Sequence, residues 1–255
     1  MLLAIDVGNT QTVLGVFDGD ELRHMWRVAT REKTTADEMR ALLHDLFSMD
    51  GFSMGDVHGA VLATVVPSQH MLWTRICRQA FDVELVSVDR TLVEGLLDMS
   101  CYTAPVIGAD RLANAVAAKV LYGCPVVVVD LGTATDMEVV DEQGRFLGGI
   151  IAPGVETSMR SLSSGTALLP AIELADPGTA IGGDTISAIQ IGVVSGEVDR
   201  IDGLVRRIWK QLGCEASVIV TGGLATTIGP MCHTVTAVDA DLTLQGLRLV
   251  FENQR

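Results

Sequence analysis

Ile5-Asp6-Val7-Gly8-Asn9-Thr10 near the N-terminus and Val129-Asp130-Leu131-Gly132-Thr133-Ala134 in mid-chain are one phrase written twice. Each is an apolar strand that ends in an aspartate, followed by a glycine turn and then by small hydroxyl or amide residues. The copies stand close to half of the 255-residue chain apart. A strand–Asp–x–Gly–turn repeated at that spacing implies two similar halves, each presenting one carboxylate and one hairpin of phosphate size. The expectation is two α/β domains that face each other and handle a nucleotide.

Working outward from the first copy, Leu2 to Ile5 and Thr12 to Phe17 are apolar runs joined across the glycine turn. Asp18-Gly19-Asp20 is a hairpin signal before a third strand, Leu22 to Val28. Thr35-x-x-Glu38 is a capping box, and Met39, Leu42, Leu43, Leu46 and Phe47 then recur at helical spacing. Strands at Gly59 to Val66 and Val83 to Val88, with a helix from about Ser68 to Ala80 between them, complete a βββαβαβ half. Around the second copy the order repeats. Four consecutive valines precede Asp130, the mark of a strand buried on both faces. Strands at Met137 to Val140 and Phe146 to Ile151 follow, then a helix near Val155 to Leu162. Thr185 to Leu212 reads as one long helix or two, Ser217 to Thr221 and Val235 to Val238 as strands, and Thr243 to Phe251 as a closing helix. An alanine-rich helix, Ala109 to Tyr122, joins the halves, which are predicted to divide as residues 1–118 and 119–255. Strand-rich starts followed by strand–helix alternation give mixed α/β domains.

Composition narrows the function. Apolar residues make up 48% of the chain and charged residues 20%, enough to build a core. The formal net charge is −14, the wrong sign for nucleic-acid binding, which needs basic surface to displace counterions. No apolar run reaches the roughly 18 residues of a membrane span, and Met1-Leu2-Leu3-Ala4-Ile5 reads as a strand rather than a leader peptide. Cys77, Cys101, Cys124, Cys214 and Cys232 form no C-x-x-C pair and suit reduced, cytoplasmic thiols. The histidines show no metal-ligand spacing. None of the lysines, Lys33, Lys119 and Lys210, follows a glycine, so there is no Walker A loop, and no G-x-G-x-x-G follows the first strand.

The motifs that remain carry the chemistry. Backbone N–H groups in a tight glycine turn bind phosphate without added charge, and Gly8-Asn9-Thr10 and Gly132-Thr133-Ala134-Thr135 both qualify, with side-chain hydroxyls and an amide as further donors. The competing reading of each is a plain β-hairpin turn. Asp6 and Asp130 end buried strands, where a carboxylate needs a partner: Mg2+ arriving with ATP, a monovalent cation, or N–H groups of a neighbouring turn. Gly108-Ala109-Asp110-Arg111 opens the inter-domain helix; Asp110 there is either a base for a substrate hydroxyl or an N-cap for a helix beginning at Arg111. Arg111 can fork onto a carboxylate or phosphate.

The duplicated unit resembles the acetate kinase, sugar kinase and actin superfamily: ribonuclease H-like, actin-type ATPase domains with ATP in the cleft between them. Five motifs in order sharpen that. Asp6 to Thr10, Gly108 to Arg111 with Asn114-Ala115, Asp130 to Thr135, Gly148-Gly149-Ile150-Ile151-Ala152-Pro153-Gly154 and Thr221 to Ala225 together closely resemble the type III pantothenate kinases, over Ile5 to about Asn253. The resemblance implies ATP-dependent phosphorylation of the primary hydroxyl of pantothenate, the first step of coenzyme A synthesis, by a cytoplasmic homodimer that needs Mg2+ and a monovalent cation, K+ or NH4+. It implies an ATP-phosphate loop at Asp6, Val7, Gly8, Asn9, Thr10, Gln11, Thr12 and Val13, with Asp6 near the Mg2+ that ATP carries, and an ATP contact at Thr133. Asp130 looks like the monovalent-cation ligand and Asp110 like the general base. Tyr102, Gly108, Ala109, Asp110, Arg111 and Thr185 look like the pantothenate contacts, and Gly222-Gly223 like the adenosine-side turn.

The chain departs from the family pattern in three places. Asp136 stands where a hydroxyl residue usually follows Gly-Thr-Ala-Thr, so it points away, binds a cation, or weakens ATP binding. Asp184 replaces the asparagine before the substrate-site threonine, and the segment from Pro105 to Gly108 is one residue short. These departures keep two other readings in view: a catalytically weakened paralogue acting as a regulatory or binding module, and another small-molecule kinase of the superfamily.

Overall fold

The computed structural model describes residues 1–31, 33–64, 66–165, 172–176 and 178–254. The expected strands open each half. β1 (Leu2–Val7) lies antiparallel to β2 (Gln11–Asp18), which lies antiparallel to β3 (Glu21–Ala29). The capping box forms as read: Thr35 accepts from the N–H of Glu38, the Glu38 carboxylate accepts from the N–H of Thr35, and α1 (Ala36–Met49) follows. Its Met39, Leu43 and Phe47 are buried against the sheet. β4 (Gly59–Thr64) then pairs parallel with β1, and β5 (Leu85–Ser87) parallel with β4, with α2 (Pro67–Ile76) between them. Val65, within the strand read from the sequence, lies outside the described residues. The last turn of the second helix widens to a π-turn over Cys77–Phe81. The sheet order is β3-β2-β1-β4-β5.

The second sheet repeats this strand for strand. β6 (Val126–Leu131), β7 (Ala134–Val140) and β8 (Phe146–Pro153) run antiparallel in turn; β9 (Ser217–Thr221) and β10 (Ala237–Val238) extend β6 on its other side in parallel, giving β10-β9-β6-β7-β8. The duplication reaches detail. Val13 pairs with Asp6 and Asp136 with Asp130, and in each half the hairpin slips register the same distance past that pair, between Val16 and Phe17 and between Val139 and Val140. The turns differ: Gly8–Gln11 separates Val7 from its partner Thr12, whereas the shorter Gly132–Ala134 separates Leu131 from Thr135. The duplicated ribonuclease H-like, actin-type architecture is present in both sheets.

Helices α3 (Ala109–Tyr122), α4 (Val155–Gly165), α5 (Thr185–Gln190), α6 (Gly196–Leu212), α7 (Ala225–Ile228) and α8 (Leu242–Glu252) complete the chain. Both readings of Thr185 to Leu212 had a basis: α5 runs into α6 through one π-turn, Ile191–Ser195, so the helix is continuous with an inserted residue. Contacts divide the chain into one unit of Met1–Met99, Thr103–Ala117 and Leu242–Arg255, and a second of Ser100–Tyr102 and Ala118–Asp241. The sequence reading had left residues 242–255 with the second half. α8 instead packs on β1, β2 and β4, with Leu244 over Gly15 and Phe251 over Gly59. The two glycines leave the first sheet the shallow face that these side chains fill.

The second unit is tied by a buried carboxylate. Asp202 of α6 accepts from the hydroxyl and N–H of Thr234 at 2.7 and 3.0 Å and from the N–H of His233 at 3.1 Å, and pairs with Arg206. Burial pushes its carboxyl up, but those donors outweigh burial and hold it below the ordinary aspartate range. A carboxyl whose folded value is depressed contributes stability above its unfolded value, about 3.9, and loses it as pH falls below that value through the folded one. Asp202→Asn is therefore expected to lower stability at pH 7 by about 2 kcal/mol. It should also flatten the loss of stability below about pH 4. Thermal melts of both proteins across pH check this.

Candidate active site

In the first unit, β1 delivers Asp6 to the edge of the glycine turn. The apolar Leu3, Ile5 and Val7 face the core, which places Asp6 on the opposite face. The turn is closed by the Gly8 N–H donating to the carbonyl of Gln11 at 3.0 Å, and it is tied to β3 by the N–H of Thr30 donating to the carbonyl of Thr10. Asn9, Thr10 and Gln11 are exposed. Thr12 is buried and its hydroxyl meets that of Thr30 at 2.8 Å, while Val13 is half-buried opposite Asp6. The turn therefore offers its tip, not its far limb, to a ligand.

Asp110 sits in the first turn of α3. The helix begins at Ala109, so Asp110 lies inside it and is not the N-cap of a helix beginning at Arg111. Its carboxylate folds back to accept from the N–H of Arg111 at 2.8 Å, and Gly108 makes room: a Cβ at Gly108 would overlap the Asp110 Oδ1. Burial pushes the Asp110 carboxyl above its ordinary value, against the lowering effect of the Arg111 N–H and guanidinium. A half-buried carboxylate with a raised pKa at a helix start is suited to accepting a proton.

In the second unit three glycine segments converge on the end of β6. The Gly132 N–H donates to the carbonyl of Ala134 at 3.0 Å, and the Thr133 carbonyl accepts from the N–H of Gly154 at 3.2 Å and the hydroxyl of Thr157 at 2.6 Å. Gly154 packs so closely that a Cβ there would overlap the carbonyls of Gly132 and Thr133. The turn after β9 closes over Asp130: Gly222 has φ +96°, lies against the Asp130 carboxylate, and Leu224 N–H donates to the carbonyl of Leu131 at 3.2 Å. Thr133 is exposed at the tip of its turn. The Thr135 hydroxyl, counted among the phosphate donors by the sequence reading, is buried and bonds to Glu197 and Arg200 instead.

Asp136 is the direct cross-strand partner of Asp130, and Thr221 is the partner of Asp130 in β9. Val127, Val129, Met137, Val139, Val218 and Val220 face the core, so Asp130, Asp136 and Thr221 share the other face. The register thus sets the Asp136 carboxylate beside that of Asp130. The Thr221 hydroxyl is buried and has no hydrogen-bond partner among the described residues. Two carboxylates and an orphaned hydroxyl side by side are hard oxygen ligands, a donor set that fits a hard cation.

Tyr102 and Thr185 both belong to the second unit, whereas Gly108 to Arg111 belong to the first. The Tyr102 ring packs edge-on against Phe146 at 5.2 Å and over Gly148 of β8. Thr185 is the exposed first residue of α5. Before it, Asp184 is an N-cap that accepts from the N–H of Ser187 at 3.0 Å, a task aspartate and asparagine perform about equally. That departure from the family pattern thus has a local, structural explanation. The sequence reading missed Thr157, Glu197 and Arg200. Thr157 stands three residues after the Gly154 that was read, but Glu197 and Arg200 look like an ordinary i,i+3 surface pair.

A family model described as type III pantothenate kinase matches residues 2–207. A protein from Exiguobacterium sp. with that name is 43% identical over 255 residues, covering all of both chains. One from Rhodospirillum rubrum is 42% identical over 250 residues, 98% of this chain and 97% of that one. Among solved structures, the (R)-2-hydroxyglutaryl-CoA dehydratase component A of Acidaminococcus fermentans superposes with a TM-score of 0.58 at 15% identity, over 100% of this chain and 99% of that one. The ROK hexokinase of Thermus thermophilus does so at 0.53 and 15%, over 100% and 99%. These two share the fold alone. The repeated aspartate turns, the carboxylate behind Gly108 and the match over most of the length lead to one assignment: the chain belongs to the type III pantothenate kinase family.

Proposed function

We propose that the chain carries out its family's reaction, transfer of the γ-phosphoryl group of ATP to the primary hydroxyl of pantothenate, with Asp110 as general base. The observation that carries this is the Asp110 carboxylate, raised in pKa and folded behind Gly108 at the start of α3. Asp110 accepts the proton of the pantothenate hydroxyl as that oxygen attacks phosphorus in line. Phosphoryl transfer otherwise requires positioning and charge neutralisation. The tip of the first turn, Gly8 to Gln11, and the second turn at Thr133 donate N–H groups and hydroxyls to the phosphates. Asp6 would approach the Mg2+ that ATP brings. Arg111 offers its fork to pantothenate, alongside Gly108, Ala109, Tyr102 and Thr185.

Asp130, with Asp136 and Thr221 beside it, would hold the monovalent cation, whose charge offsets that of the triphosphate. The reading includes a homodimer working in the cytoplasm, in keeping with the free cysteines; among the described residues no helix is long and apolar enough to cross a membrane.

Purified chain with ATP, Mg2+ and K+ is expected to release ADP only when pantothenate is added, with phosphopantothenate as product. ADP release that ignores pantothenate and follows another alcohol would overturn the assignment of substrate. Asp136 gives a further test. A carboxylate about 4 Å from a bound cation contributes roughly 1 kcal/mol in water-like surroundings. Asp136→Asn is thus expected to raise the K+ concentration for half-activation by about five-fold, measured by titrating K+ at fixed ATP. An unchanged midpoint would show that Asp136 takes no part in the site.

A further inference from the structure

We propose that Thr135, Glu197 and Arg200 form a brace that positions the second glycine turn for the phosphate chain of ATP; the proposal rests on the reading of that turn given above. Thr135 is the first residue of β7 to pair with β6 after the turn, opposite Leu131. Its hydroxyl donates to Glu197 Oε1 at 2.7 Å and accepts from Arg200 Nη2 at 3.2 Å. The same Nη2 donates to the carbonyl of Pro153 at 2.8 Å and pairs with Glu197 Oε2. One guanidinium nitrogen therefore ties β7 just past the turn to the end of β8, where Gly154 begins its contact with the Gly132 and Thr133 carbonyls.

Three observations set this apart from ordinary packing. The fold does not demand it: in the first half the residue at the same register, Thr12, simply meets the hydroxyl of Thr30. A buried ion pair is also a poor device for stability alone, because apolar side chains of similar volume serve as well, and this one leaves the Arg200 Nε without a hydrogen-bond partner among the described residues. Glu197 and Thr135 are both buried, and Arg200 is mostly so. Finally, the π-turn Ile191–Ser195 ends immediately before α6. Its inserted residue sets the rotation at which Glu197 and Arg200, an i,i+3 pair, meet β7. These are positioning residues that act through the turn.

The test compares Thr135→Val, which keeps the shape and removes the hydroxyl, Thr135→Ser, which keeps the hydroxyl, and Arg200→Met. Thermal melts, steady-state kinetics and calorimetric binding of a non-hydrolysable ATP analogue are read for each. Thr135→Val and Arg200→Met are expected to weaken analogue binding and raise the ATP KM by about ten-fold, with the pantothenate KM within about two-fold of the parent. Thr135→Ser should bind within about two-fold of the parent. If Arg200→Met does not fold, Thr135→Val decides. Variants that melt earlier yet bind the analogue as the parent does would reduce the brace to a stability element and overturn the proposal. A parent chain that binds the analogue but does not phosphorylate pantothenate would contradict the functional reading while leaving the brace standing.

Discussion

Asp110→Asn is expected to lower kcat by about 100- to 10,000-fold and to leave the affinity for ATP close to that of the parent. Asparagine has the same shape, and its Oδ1 can still accept from the Arg111 N–H, so the start of α3 keeps its geometry. What is lost is the capacity to take a proton. The raised pKa of the carboxyl makes it a stronger base than an ordinary aspartate, and burial, the cause of that shift, brings no charge of its own. The nucleotide contacts proposed at the two glycine turns do not use the Asp110 carboxylate, so they are expected to survive. Single-turnover phosphorylation of pantothenate, together with equilibrium binding of ATP, separates the two. Near-normal turnover in Asp110→Asn would remove Asp110 from the chemistry.

The second large effect is expected from a single methyl group. Gly154→Ala places a Cβ onto the carbonyls of both Gly132 and Thr133, which are backbone atoms that cannot swing aside. The N–H of Gly154 and the hydroxyl of Thr157 both bond the Thr133 carbonyl, so the clash falls on the contacts that shape the turn. Overpacking of this kind costs about 1–3 kcal/mol. Because it displaces the turn by a fraction of an ångström to an ångström, the ATP KM is expected to rise about 10- to 100-fold. The pantothenate KM should change little. Gly154→Ala with normal ATP kinetics and a normal melting temperature would mean that the turn accommodates the methyl group and that its position is not critical.

The fold was largely legible because its signals are local. The Thr35–Glu38 capping box, the valine run before Asp130 and the glycine turns each depend on residues a few positions apart, and each formed where it was read. The repeated aspartate turn announced the duplication; the register slip the two halves share is marked by no pattern in the sequence. What was not legible depends on distant partners. α8 reads as the last element of the second half, and only Gly15 and Gly59, far back in the first sheet, say where its Leu244 and Phe251 go. The Thr135 hydroxyl looks like a phosphate donor until Glu197 and Arg200 arrive from α6, more than sixty residues later. Asp136 reads as a misplaced charge; the strand register makes it a neighbour of Asp130. Asp184 reads as a lost amide, and the helix start shows that its carboxylate caps equally well. Tyr102 and Thr185 were placed by resemblance, and their roles toward pantothenate stand as part of the proposal.

The central claim is that the half-buried carboxylate of Asp110 takes the proton of the acceptor hydroxyl. The pH profile of kcat/KM for pantothenate tests it most directly, since that quantity titrates the essential base of the enzyme before pantothenate binds. The depressed pKa of Asp202 keeps that support of the second unit in place down to about pH 4, so loss of rate above that pH is separable from loss of this support. The account predicts an acid limb governed by a single ionisation above the ordinary aspartate value of about 3.9. A rate that stays flat down to about pH 4, with the protein still folded, would contradict it.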